Sequence, residues 1–235
     1  MKLRTRVFMQ LAALFFVAAS SFAAENAYLY VSNAIPGKAV ASNLSPGYPL
    51  DILISGVCVR RSLAFGEFSD PLGFAPGTYD VEISEANALD PCSNPAVASL
   101  NVTLNGGTSS TVVAEVGGGT PALMLLSDDL SKVAAGSARF IFGQTADAGT
   151  LTATLTQVGV SDPKTYSVSS KTGQQQAIKV LAGTYLVQIF NSGASTVLAS
   201  KDIVFDNQSA VFVYAAGQTT TNSVGLVYKV VDGLY

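Results

Sequence analysis

Two stretches of this chain, FAPGTYDVEI at 74–83 and VLAGTYLVQI at 180–189, write nearly the same phrase. Each sets Gly-Thr-Tyr after a small residue or proline and then runs into an alternation. Tyr79, Val81 and Ile83 fall on one side, Asp80, Glu82 and Ser84 on the other. That period of two belongs to a β-strand with one face on a core and one in water. Gly77 and Gly183 are expected to supply the backbone angles of the turn before each strand. The repeat commits the chain to β-structure, built twice.

The match extends to both sides. ASLNVTLNGGTSSTVVAEV (98–116) lines up with ASKDIVFDNQSAVFVYAA (199–216), AYLYVSN (27–33) with ARFIFGQ (138–144), and LMLLSDDL (123–130) with LVYKVVDGL (226–234). Short Val/Ile/Thr/Tyr/Phe-rich segments with Gly, Pro, Asn and Ser between them indicate an all-β sandwich or barrel. The order of matched elements predicts two copies of one domain of about 105 residues, a usual domain size. We place them at 24–131 and 137–235, joined by SKVAAGS (131–137).

The first 23 residues read as a cleaved export signal. Lys2, Arg4 and Arg6 precede the apolar run VFMQLAALFFVAAS, and SFA offers small residues for cleavage after Ala23. No later apolar run has the length of a membrane span. Of 13 basic residues three lie in this leader, so the remainder carries 10 against 16 acidic residues, a net charge of −6. No basic cluster is left to neutralise several phosphates, which disfavours nucleic acid as a partner. The expected destination is the periplasm or the extracellular space. There, two cysteines, Cys58 and Cys92, are expected to pair as a structural disulfide.

The two copies differ in their loops. NAIPGKAVASNLSPGYP (33–49) stands where the second copy has TADAG (145–149), and EANALDPCSNPAV (85–97) where it has NSGASTV (191–197). Long irregular loops on a rigid sheet are where binding functions concentrate.

ARFIF (138–142), FAPGTYDVEI and a closing LMLLSDDLSKVAAGSAR (123–139) that leads into a second copy together resemble the exported bacterial proteins of the domain of unknown function 4397. The resemblance covers 27–235 and implies two tandem immunoglobulin-like or transthyretin-like β-sandwich domains. It implies no established activity. The family's usual His-Ala-Ser-Pro-Asp-Ala-Pro segment after the first strand is replaced here by SNAIPG (32–37) and GQTADAG (143–149).

The chain contains no histidine. That removes Ser-His-Asp and Cys-His nucleophiles, histidine-ligated zinc and the commonest general base. No Gly-x-Ser-x-Gly elbow and no phosphate-cradling loop is written. No catalytic residue, metal ligand or cofactor is therefore assigned. Asp128, Asp129 and Asp147 are sparser than a calcium loop. Carboxylates are the remaining enzymatic route, with Glu67 and Asp70 flanking Phe68, and Glu82 near Glu85. Without tryptophan, an aromatic contact surface would fall to loop residues Tyr48 and Phe68. The reading is an exported, non-enzymatic binding or structural module that recognises a protein or polysaccharide through loops of the first copy, with Tyr48, Phe68, Glu67 and Asp70 as candidate contacts. A carboxylate-dependent hydrolase and a small outer-membrane β-barrel are the alternatives.

Overall fold

The computed structural model describes residues 25–37, 47–219 and 223–232. The expected leader, most of the 33–49 excursion and the terminal Tyr235 lie outside them. Every regular element described is a strand. The first half holds β1 (Ala27–Asn33), β2 (Leu50–Ile54), β3 (Val57–Leu63), β4 (Leu72–Phe74), β5 (Gly77–Glu85), β6 (Ala98–Leu104), β7 (Ser109–Gly117) and β8 (Thr120–Asp128). The second half repeats the series as β9 (Ser137–Gln144), β10 (Thr150–Gln157), β11 (Thr165–Lys171), β12 (Gln174–Leu181), β13 (Gly183–Asn191), β14 (Val197–Phe205), β15 (Ala210–Ala216) and β16 (Gly225–Val231).

The strands form four open sheets of four, ordered β3-β2-β5-β6, β4-β1-β7-β8, β12-β9-β15-β16 and β11-β10-β13-β14. Adding eight to each label of the first pair yields the second pair, so the halves share one topology. Each contains a parallel pair between its opening strand and its seventh, β1 with β7 and β9 with β15. These are two tandem β-sandwiches. The barrel alternative is overturned: closing a barrel requires joining first strand to last, and here every sheet keeps two edges.

Each sandwich has its own core. Leu29, Val31, Val112 and Ala114 of one sheet meet Ile52, Ile54, Val81 and Ile83 of the other. In the second half Phe140, Phe142, Val211 and Val213 meet Leu151, Leu155, Val187 and Ile189. The intervening residues of the inner strands have a third destination. Tyr30, Val113 and Leu126 pack against Ile141, Phe212, Tyr214 and Val227 of the second sandwich, making a continuous apolar seam. The molecule is thus four sheets deep, and the central strands of its two inner sheets, β1 with β7 and β9 with β15, are covered on both faces. This explains why STVVAEV and AVFVYAA are near-continuous apolar runs, the pattern of strands without a wet side.

The repeated phrase resolves into a tyrosine corner. Tyr79 donates its hydroxyl to the carbonyl of Ala75 at 2.8 Å, and Tyr185 does the same to Leu181 at 3.0 Å. Such a bond ties the strand start to the chain just before it. The glycines are less alike than expected. Gly183 has a φ of 150°, and a Cβ there would meet the Gln157 side chain at 2.8 Å. Gly77 is not in the left-handed region, and a Cβ would make only ordinary contact with the Tyr79 ring. The turn before β5 therefore does not demand glycine.

Candidate functional site

Asp51 faces away from the core between Leu50 and Ile52, the position where an alternating strand normally shows a charge to water. It is instead only 1% exposed. Segment 86–97 folds back over the outer sheet and covers it. The carboxylate accepts the backbone N–H groups of Ser62 at 2.8 Å, Asn87 at 3.2 Å and Cys92 at 2.8 Å. Cys92, turned with a φ of 63°, closes the expected disulfide to Cys58 on β3, with Cα atoms 5.9 Å apart. Asn87 caps the tip by accepting the N–H groups of Leu89 and Asp90, and Asn94 donates to the carbonyl of Glu85 at 2.9 Å. A loop so tied presents its tip in one shape. At that tip Leu89 is 97% exposed.

The neighbouring excursions are organised by Asn33, the last residue of β1. Its amide donates to the carbonyls of Tyr48 and Leu63, each at 2.9 Å, and its oxygen accepts the Ile35 N–H at 2.9 Å. Gln144 holds the equivalent place at the end of β9. It donates to the carbonyl of Ala148 at 2.8 Å and accepts the Ala146 N–H at 2.7 Å. One carboxamide per copy thus fixes the chain's exit from the opening strand, at long and short loop alike.

The expected aromatic contacts are corrected by their packing. Tyr48 is 4% exposed and belongs to the first core. Burial, with Glu85 nearby, pushes its phenol above the usual range. Phe68 turns inward because residues 67–69 zip onto β1, through Asn33 N–H to the Glu67 carbonyl and Ser69 N–H to the Val31 carbonyl. Its ring lies in the seam, 5.3 Å from Tyr214 and 6.1 Å from Phe212. Glu67 accepts the Ala64 N–H at 3.0 Å and stands 3.8 Å from Arg60. Asp70 stands 3.5 Å from Lys229 of the second sandwich. Tyr48 and Phe68 are packing groups; Glu67 and Asp70 remain accessible carboxylates.

A second polar constellation lies where β8 leaves the first sandwich. Asp128 accepts the hydroxyls of Ser109 at 3.0 Å and Thr111 at 2.9 Å, and the amide of Gln175, on β12, at 3.2 Å. Burial, only partly offset by these bonds, pushes its carboxyl up to about 6. The adjacent Asp129 behaves oppositely. Burial would raise it, yet the hydrogen bonds from Ser131 and the Arg139 guanidinium, 2.6 Å away, hold it below the usual range. Beside them opens a cavity of about 650 Å³, lined by Glu25, Thr108, Ser109, Asp128, Asp129 and Ser131 among others. Asp147 is not part of this group; it neighbours Glu115. Among the described residues no set of three or more Cys, Asp or Glu side chains could hold a metal ion.

Two tandem sandwiches with a disulfide-stapled loop define the class of protein. The chain belongs to the family described as domain of unknown function 4397, which it matches over residues 27–154. No curated protein matches it. Among solved structures it is similar to the TIE protein of Bacillus anthracis, at 10% identity and a TM-score of 0.28 over 83% of this chain and 34% of that one. It is also similar to a proposed cell adhesion protein of Bacteroides ovatus ATCC 8483, at 7% identity and a TM-score of 0.28 over 91% and 99% of the two chains. A further proposed cell adhesion protein, from Bacteroides uniformis ATCC 8492, shows 10% identity and a TM-score of 0.25 over 88% and 98%. The chain spans about a third of the first of these.

Proposed function

We propose that this protein is an exported, non-enzymatic binding or structural module of the cell envelope or extracellular space, and that it recognises a protein or polysaccharide through the first sandwich. One observation carries the reading. Segment 86–97 is fixed by a buried carboxylate, a disulfide and two asparagine side chains, yet it ends in a fully exposed leucine. Ordering a loop costs conformational entropy, and a loop ordered before binding does not lose it again on contact. The inner sheets are occupied by each other, so recognition falls to the outer faces and loop ends. We take 24–131 as the recognising unit and 137–235 as its support.

The test is a photo-crosslinking amino acid placed at Leu89 in intact cells, with Val204, exposed on the outer sheet of the second sandwich, as the control position. A discrete adduct from position 89 and none from 204 is expected. Adducts at neither position, or equally at both, overturn recognition through this loop. The hydrolase reading predicts turnover that Glu67→Gln or Asp70→Asn abolishes.

A further inference from the structure

Along β1 the residues on the seam face pass from open to covered. Tyr30 is 3% exposed, whereas Tyr28, two residues earlier and so on the same face, is 38% exposed. Strand register sets Tyr28 beside Ser109 of β7, and Ser109 beside Asp128 of β8. This row lines the cavity of about 650 Å³, together with Glu25 and Asn26 from the chain before β1. On the other side of Tyr28 the row continues to Gly73 of β4. A Cβ there would stand 3.9 Å from the tyrosine ring, so the ring lies over the bare backbone of its neighbour.

The second sandwich is an internal control for this corner. Its equivalent row is Arg139 of β9, Ala210 of β15 and Val231 of β16. The fold therefore does not require a tyrosine, a hydroxyl and a carboxylate at these places. The turns differ in the same way. Gly107 donates its N–H to the Asn26 carbonyl, as Gln208 does to Ser137, so Gly106 corresponds to Asn207 and Glu25 to Gly136. In the second sandwich the Asn207 side chain closes the corner by accepting the Gly136 N–H at 2.6 Å. In the first, Gly106 brings no side chain, and a Cβ would stand 2.6 Å from the Glu25 carbonyl oxygen. One copy fills this corner; the other leaves it open and lines it with polar groups.

We propose that the cavity is a binding site for an uncharged saccharide of one or two rings, with Tyr28 as its platform.

A sugar ring has an apolar C–H face and a rim of hydroxyls that both donate and accept. Tyr28 offers the matching surface, an apolar ring with a polar tip. The rim would meet the Glu25 carboxylate, which only accepts, and the Asn26 amide, which does both. Asp128, already held by Ser109 and Thr111, stands behind them as a fixed acceptor. The volume lies within the range of small-molecule pockets. No lysine or arginine is among the residues lining the cavity, and the nearby Arg139 is engaged by Asp129 and Ser131. A uronate or phosphate would meet carboxylates with no cation to answer it, so like-charge repulsion selects against acidic ligands.

This site does not rest on recognition at Leu89. From the cavity β1 carries the chain away to Asn33, which bonds the Tyr48 carbonyl. Segment 86–97 springs from that far end, where Ala86 donates its N–H to the Pro49 carbonyl at 2.9 Å. Either site can fail alone.

The test follows backbone amides by NMR as the isotope-labelled two-sandwich protein is titrated with millimolar cellobiose, maltose, lactose and N,N′-diacetylchitobiose. Digalacturonate is the acidic control. Amides of Gly107, Thr108, Asp129 and Ser131 are expected to shift with at least one neutral sugar, while those of 86–97 stay in place. Tyr28→Ala should weaken that sugar by about tenfold or more, and Tyr28→Phe should retain it. Four neutral sugars without effect, shifts confined to other regions, or digalacturonate bound as tightly would each overturn the site. So would unchanged affinity in Tyr28→Ala. Should Tyr28→Ala not fold, magnetisation transfer in wild type decides: transfer from the Tyr28 ring to sugar C–H protons supports the site, and its absence overturns it.

Discussion

Asn33 and Asp51 do at the scale of single residues what the loops of the first sandwich require, and neither is legible as such in the sequence. An asparagine at the end of a strand reads as a turn residue, and an aspartate on the outward phase of LDILI reads as solvated. Both are buried because distant segments close over them. Asn33 satisfies two carbonyls and one N–H that would otherwise be stranded away from water. Leaving a buried polar group unpaired costs about 1–3 kcal/mol each, so Asn33→Ala is expected to destabilise by roughly 2–4 kcal/mol after relaxation. Urea unfolding checks this, and a loss below about 1 kcal/mol would mean that the excursion after β1 holds itself. By contrast, the tyrosine corners were half legible. The repeated Gly-Thr-Tyr marked the turn and strand, while the hydroxyl bond four residues back needed the folded geometry.

Among elements, the strands with alternating β-branched and aromatic residues were readable, and the polar edge strands were not. β11 and β12, TYSVSSK and QQQAIKVL, are rich in serine, glutamine and lysine because each is the first strand of its sheet, with one neighbour and a wet face. The cysteine pair was readable from compartment logic, but not that Asp51 lies beneath it. That combination yields a separable outcome. Removing the disulfide in Cys58→Ser/Cys92→Ser releases loop-closure entropy to the unfolded chain and should cost about 2–4 kcal/mol. The loop itself should stay in place, because three N–H groups still meet the Asp51 carboxylate. Hydrogen exchange at Asn87 and residue 92 should therefore remain slow in the disulfide-free variant and become fast in Asp51→Ala. Fast exchange in both would make the disulfide the sole anchor.

For the whole molecule, the internal repeat announced two units but was silent on how they meet. Alternation in β1, β7, β9 and β15 sends every second residue into a sandwich core and the others into the seam, so a sequence pattern of continuous apolarity was the available sign of a doubly covered strand. Lys229 crosses the seam at its edge: it donates to the Ser69 carbonyl at 2.6 Å, and its ammonium lies 5.7 Å from the Tyr30 ring centre. Exposed ion pairs such as Lys229 with Asp70 contribute about 0–1 kcal/mol, whereas burying one large apolar side chain contributes about 1.5–3 kcal/mol. The apolar seam therefore dominates, and the halves should unfold together. Phe212 and Phe140 separate this claim from ordinary core loss. Phe212 is 1% exposed and faces the other sandwich, while Phe140, fully buried, faces its own core. Either truncation to alanine should cost about 3–5 kcal/mol. In calorimetry at pH 7, wild type should show one transition. Phe140→Ala should weaken the second sandwich itself, whereas Phe212→Ala should cut the coupling and split the transition into two. A single, merely lowered transition in Phe212→Ala would mean that the sandwiches are joined by something other than the packing of their inner sheets.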